Sequence, residues 1–283
     1  MARFMTSECE TVVTGLDHPE CAVVGSSGEL YAGGEAGTIY RIDPQRREAI
    51  ELAKALGESG GLALDGDDNL YECNLSGHVN RITPSGELSV YSTGTSELPV
   101  HFPNFPVFDQ HGNLFFSDSG SWNTLNGRIY VVRPGGGTEV AIPDYLAFPN
   151  GLALDTTTGW LYIVQSTARN VVRARVADGE VTARPEIYIE FSTGTVPDGL
   201  ALAAGGNLYV ACYEPNVIYV VEPSGRVEPL IEGLAFGVLN RPTNCAFSRT
   251  DDTLYFPSYG AGDIARLAVG EQGMPLSYPK LPK

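Results

Sequence analysis

Six Leu-Tyr or Leu-Phe pairs, each closing a short turn, divide the chain into near-equal segments: Leu30-Tyr31, Leu70-Tyr71, Leu114-Phe115, Leu161-Tyr162, Leu208-Tyr209 and Leu254-Tyr255. Successive leucines are 40, 44, 47, 47 and 46 residues apart. A period of this size, carried by strand-forming residues, marks a β-propeller rather than a helical solenoid. A propeller is cyclic, so equivalent positions of its repeat lie on one ring about the axis. Ten residues before each leucine (eleven in the fourth copy, where residues 156–159 lengthen the turn) stand Glu20, Gly60, Asn104, Asn150, Asp198 and Asn244. Five of these six carry side-chain oxygen, and two of the five are carboxylates. That ring is the first candidate for a functional centre.

The fifth copy displays the unit most clearly. Residues 199–202 form a short apolar run, 204–206 a turn, 207–212 a second strand and 213–216 a loop. Residues 217–221 then make a third strand, 223–225 a turn, and 226–231 an alternating outer strand. The expected fold is all-β: a single domain over 1–283, six blades of four antiparallel strands. The sixth copy runs out after its third strand, at 263–269, and residues 10–15 are predicted to supply the missing outer strand. Such pairing closes the ring and removes edges that would invite aggregation. Residues 45–56 are rich in helix formers, but the repeat assigns their latter part to the outer strand of the first blade.

A formal charge of −16 argues against nucleic acid or an anionic membrane as partner. No run approaches the roughly 20 apolar residues that span a bilayer, and the polar, acidic first ten residues do not read as a signal peptide. Cys9, Cys21, Cys73, Cys212 and Cys245 show no C-x-x-C spacing and read as reduced, mostly buried thiols of a cytoplasmic protein. The partner expected is a small-molecule substrate, and the chain itself a monomer or weak homo-oligomer.

In a four-stranded blade alternate turns fall on opposite faces. The ring therefore sits at the mouth of the tunnel, beneath the loops joining second and third strands. The longest of these, 118–127, carries Trp122 and Asn123 and is the candidate lid or substrate platform. Two carboxylates with two or three carboxamides make a hard, all-oxygen ligand set. It suits one Ca2+ first, with Mg2+ or Mn2+ behind; Zn2+, the remaining candidate, normally takes His or Cys, and neither occupies the ring. Without a metal the two acids would repel, and one would take up a proton.

The segments Pro19-Glu20, Pro149-Asn150-Gly151-Leu152 and Pro197-Asp198-Gly199-Leu200 resemble the signature segments of the senescence marker protein/gluconolactonase (regucalcin-like) family, related to diisopropylfluorophosphatase. The resemblance covers essentially the whole chain. It implies a six-bladed propeller with one divalent cation held by Glu20, Asn104, Asn150 and Asp198, and hydrolysis of a lactone or related ester. Two departures stand out. Phe102 occupies the place where sugar-lactone members carry an arginine, which argues against a polyol acid, and Asn244 stands where a small residue is more usual. Because Arg169 is essentially the only basic residue expected on the loops of this face, an apolar or aromatic lactone is the predicted substrate.

Asp198 is the leading general base, ahead of Glu20, in a pocket where Phe102, Phe148 and Trp122 would raise its pKa. His18 and His101, just upstream of ring positions, are candidate proton carriers to the leaving alkoxide. Phe102, Trp122, Asn123, Tyr213 and Asn244 are the candidate substrate contacts. Serine-based hydrolysis has no support, since Gly-x-Ser-x-Gly does not occur. Two alternatives share the fold: a propeller that binds a small molecule without hydrolysis, and a biosynthetic enzyme of the strictosidine synthase type, which generally lacks a metal.

Overall fold

The repeat is built on a turn that fastens itself. In the computed structural model, which describes residues 2–234 and 237–282, the Asp65 carboxylate accepts the backbone N–H groups of Asp67 and Asn69, both at 2.9 Å. The Asn69 carboxamide and the Tyr71 hydroxyl donate to the same carboxylate, at 2.8 and 3.2 Å. Asp109 holds His111 and Asn113 in the same way, and Asp155 holds Thr157 and Thr158. An Asp that bonds its own backbone a few residues on fixes a sharp reversal. The leucine that follows then drops into the core, and all six repeat leucines are at most 1% exposed. In the fifth blade the turn Asp is replaced by Ala203. There Glu271, from the C-terminal tail, accepts the Asn207 carboxamide at 2.9 Å and also the Tyr209 hydroxyl.

Six antiparallel sheets result, five of them running inner to outer in chain order and the sixth taking its outer strand from the N-terminus. Blade one comprises Val23–Val24, Leu30–Gly33, Thr38–Asp43 and Glu48–Lys54. Blade two has Ser59–Leu64, Leu70–Asn74, His78–Ile82 and Leu88–Ser92. Blade three has Pro103–Phe108, Leu114–Asp118, Leu125–Val132 and Thr138–Ala147. Blade four has Pro149–Asp155, Trp160–Gln165, Asn170–Ala177 and an outer strand Glu186–Glu190, with a small added strand at Glu180–Val181. Blade five has Val196–Leu202, Leu208–Glu214, Val217–Val221 and Val227–Glu232. Blade six consists of Ala246–Phe247, Thr253–Ser258 and Asp263–Ala268, completed by Glu10–Thr14. The expected closure is therefore present. Glu10 pairs with Arg266 and Thr14 with Asp263, and the Arg266 guanidinium donates twice to Glu10, at 2.9 and 2.7 Å.

Residues 48–54 are a strand, as the repeat requires and against their helix propensity, because Ala53 is buried in the same cluster as Ile39. Among the described residues the only helical element is a short 3-10 turn, Thr6–Glu8, and no helix is long and apolar enough to cross a membrane. The core lies between blades. Val107, Ile129 and Ile142 of blade three, for example, pack on Leu152, Leu161 and Ile163 of blade four, and each such side chain contributes about 1.5–3 kcal/mol by burial. The five cysteines are free thiols, four of them buried. The tail crosses the face opposite the ring. It is held where Ala204 N–H donates to Gln272, Met274 N–H to Leu202 and Gly66 N–H to Pro279, at 2.8–2.9 Å.

Candidate metal centre

Contacts between neighbouring inner strands can be followed around the axis through the ring positions. The Cys21 thiol donates to the Gly60 carbonyl at 3.1 Å. A Cβ added to Gly60 would lie 2.7 Å from the Asn104 carbonyl oxygen, so this position has no room for a side chain. The Ser117 hydroxyl, from the blade of Asn104, donates to the Asn150 carbonyl at 2.7 Å. Gly151 abuts Asp198, and Gly199 N–H donates to Thr243 at 2.6 Å. The Thr243 hydroxyl then donates to the Glu20 carbonyl at 2.7 Å, closing the circuit. The order Glu20, Gly60, Asn104, Asn150, Asp198, Asn244 is thus a spatial one.

Asn104, Asn150, Asp198 and Asn244 are buried, and Glu20 is half-buried. Asn150 donates to the Ser166 hydroxyl at 3.3 Å. Among the described residues, neither the Asn104 nor the Asn244 carboxamide has a hydrogen-bond partner. Burial pushes the Asp198 carboxyl up to about 8, against an opposing hydrogen bond from Asn150. Glu20 is raised well above the usual carboxylate range, first by burial and then by the charges of Asp198 and Glu58. No cation of the described protein offsets either acid. Two uncompensated carboxylates beside unpartnered carboxamide oxygens fit a hard divalent cation, and the donor set offers neither His nor Cys to favour zinc.

One side of the mouth is aromatic. The Phe102 and Phe148 rings lie 5.8 Å apart and Trp122 meets Phe148 edge-on at 4.8 Å, so the three expected wall residues do come together. Their backbone is organised by Asp118. This buried carboxylate accepts the N–H groups of His101, Phe102 and Gly120, at 3.1, 2.7 and 3.3 Å. The His101 ring is exposed, with Nδ1 3.2 Å from the Gly120 carbonyl. Asn123 lies at the exposed tip of the loop with φ of 58°, a conformation that Asn tolerates better than most residues.

The other side is polar. The Tyr213 hydroxyl accepts Arg241 Nη1 at 2.9 Å, and its ring faces Tyr259 at 6.2 Å. Tyr259 donates to Glu58 at 3.4 Å and packs on the His18 ring at 5.1 Å. His18 Nδ1 is 2.8 Å from Glu35, and with Asp17 these form the one group of three His or acidic side chains close enough to share a metal ion among the described residues. That group sits on the exposed rim, outside the ring. The expectation that Arg169 is essentially the only base on this face is corrected, because Arg241 reaches Tyr213 from the segment that enters blade six. Asp118, Glu58, Tyr259 and Arg241 were not anticipated. Only Glu58 had a signal, since it stands two residues before the one ring position lacking a side chain.

Comparisons with known proteins add a lineage to this geometry. A family model described as SMP-30/gluconolactonase/LRE-like region matches residues 35–260, and a strictosidine synthase-like N-terminal model matches residues 7–42. Lactonase drp35 of Staphylococcus saprophyticus is 27% identical over 232 residues, 77% of this chain and 71% of that protein. Lactonase drp35 of Staphylococcus aureus (strain USA300) is 26% identical over 225 residues, covering 75% and 68%. Among solved structures, the calcium-binding protein regucalcin from Agrobacterium tumefaciens superposes with a TM-score of 0.83 at 16% identity, covering 100% of both chains. A gluconolactonase from Xanthomonas campestris gives 0.77 at 16% identity, covering 93% and 89%. At these identities the structures establish the shared fold.

Proposed function

The chain belongs to the SMP-30/gluconolactonase/LRE-like family, and we propose that it is a lactonase-type hydrolase whose ring holds one divalent cation on Glu20, Asn104, Asn150 and Asp198. The observation that carries this reading is a buried and a half-buried acid without a compensating cation, set beside carboxamides without partners. Ca2+ is the first candidate by ligand chemistry, and the calcium-binding regucalcin supports it by fold. The named lactonase relatives support the reaction class.

A bound cation supplies Lewis-acid polarisation of the lactone carbonyl and electrostatic stabilisation of the oxyanion. Asp198 takes the proton of the attacking water as general base. His101, with Nδ1 turned to the Gly120 carbonyl, has Nε2 left to return a proton to the leaving alkoxide. His18, held by Glu35, is the second carrier. Phe102, Phe148 and Trp122 bind the apolar or aromatic body of the lactone and exclude water from that side. Tyr213, fixed by Arg241, and Asn244 provide the polar contacts opposite.

The strictosidine synthase-like match favours a second reading, a biosynthetic propeller enzyme. It spans Glu20 but none of Asn104, Asn150 and Asp198, so hydrolysis stands first. The test is elemental analysis of protein purified without added metal, with turnover of a lactone and aryl-ester panel with and without chelator. One divalent ion per chain and chelator-sensitive hydrolysis are expected. Full turnover in chelator, with no stoichiometric metal, would overturn the cation assignment. No turnover by metal-replete protein would make the propeller a binding module.

A further inference from the structure

Beneath the ring the tunnel opens into a chamber of about 410 Å3, walled by the inner strands of all six blades and floored by the C-terminal tail. Leu62, Phe105, Leu200 and Phe247 contribute to the wall, Met274 and Tyr278 to the floor. One cation lies at its lower rim. Arg249 Nε donates to the Val24 carbonyl at 2.8 Å, and the guanidinium stacks over the Tyr278 ring at 3.6 Å. Its Nη2 is buried and has no hydrogen-bond partner. The nearest acid, Asp68, is 4.0 Å away, beyond hydrogen-bond reach, and already accepts the backbone N–H and hydroxyl of Ser26.

A buried guanidinium N–H without an acceptor is costly, and Arg249 is the one charged residue in a mostly apolar lining that holds no acid. We propose that the chamber binds a medium-chain aliphatic carboxylate, its chain among the inner strands and its carboxylate at the Arg249 guanidinium. A cavity of about 150 Å3 admits benzene, so this one has room for a chain of about ten carbons. The site lies below the ring, shares only Asn244 with it, and does not rest on the hydrolase reading.

The full chain is titrated calorimetrically with decanoate and with decanol, below micelle-forming concentrations. Chelator is present throughout, so that a carboxylate cannot bind through a metal in the ring. One saturable site is expected, with decanoate bound at least about tenfold more tightly than decanol, as a charge-assisted hydrogen bond provides. Arg249→Met should bring decanoate down to the level of decanol while leaving decanol unchanged, and Arg249→Lys should keep part of the preference. Ala201→Phe, from a half-buried alanine on the chamber wall, should abolish both. If its melting curve shows that it does not fold, Ala63→Phe from the opposite wall takes its place. Absence of saturable binding, equal affinity of the parent for acid and alcohol, or binding untouched by the filling variants would each overturn the proposal.

Discussion

Asp198 has two assigned duties, ligand and base, and one atom separates them. Asp198→Asn keeps a carbonyl oxygen for the cation but removes the proton acceptor. Its kcat should fall on the order of 10²–10⁴-fold, with metal affinity falling less steeply. Glu20→Gln should act mainly through weaker metal binding, and high metal concentration should restore much of its activity. Steady-state kinetics across a metal titration measures both, and an Asp198→Asn protein with parental turnover and metal bound would remove Asp198 as the base. The ring itself was legible because a period locates equivalent positions whatever the local structure. Asp118 was not, because its role exists only in space: it binds backbone N–H groups 16 and 17 residues earlier. Gly60 looked like a gap in the ring, and it is one imposed by the approach of the Asn104 backbone.

At the scale of elements, the strand Glu10–Thr14 carries the greatest leverage for its length. Deleting residues 1–15 uncovers the edge of Asp263–Ala268 and removes the buried Val12 and Val13 along with the Glu10–Arg266 pair. The apolar burial alone is worth on the order of 5 kcal/mol, which corresponds to a melting temperature lower by roughly 10 °C. Calorimetry and light scattering should show that fall or outright aggregation; a truncated chain as stable and soluble as the parent would contradict the closure. Strand order was readable because alternation and turn residues recur in every copy. Two elements were hidden. The outer strand of blade four shifts to Glu186–Glu190 behind an added hairpin, and Glu271 completes a turn 64 residues away, a pairing that no local pattern announces.

For the whole molecule, the ring couples stability to pH and metal together. With the cation removed, Asp198 holds its proton up to about 8, and Glu20 is also raised. Unfolded carboxyls lose theirs near pH 4. Between those limits the native state binds more protons, so its stability falls as pH rises. The melting temperature in chelator should therefore be lower at pH 8 than at pH 5, by about 2–4 °C for each kcal/mol lost. Saturating cation should abolish the ring's share, leaving the slope from Glu58 and buried Glu72, both raised by burial, and from Asp263, raised to about 6. Identical slopes with and without cation would separate the acids from any metal. Closure by the N-terminal strand also sets a schedule for synthesis. Arg266 is added 256 residues after Glu10, so at about 5–20 residues per second the early strand waits on the order of ten to fifty seconds for its partner. Throughout that interval the nascent chain displays an unpaired β edge to the cell, and the circle becomes a circle only when its oldest strand meets its youngest blade.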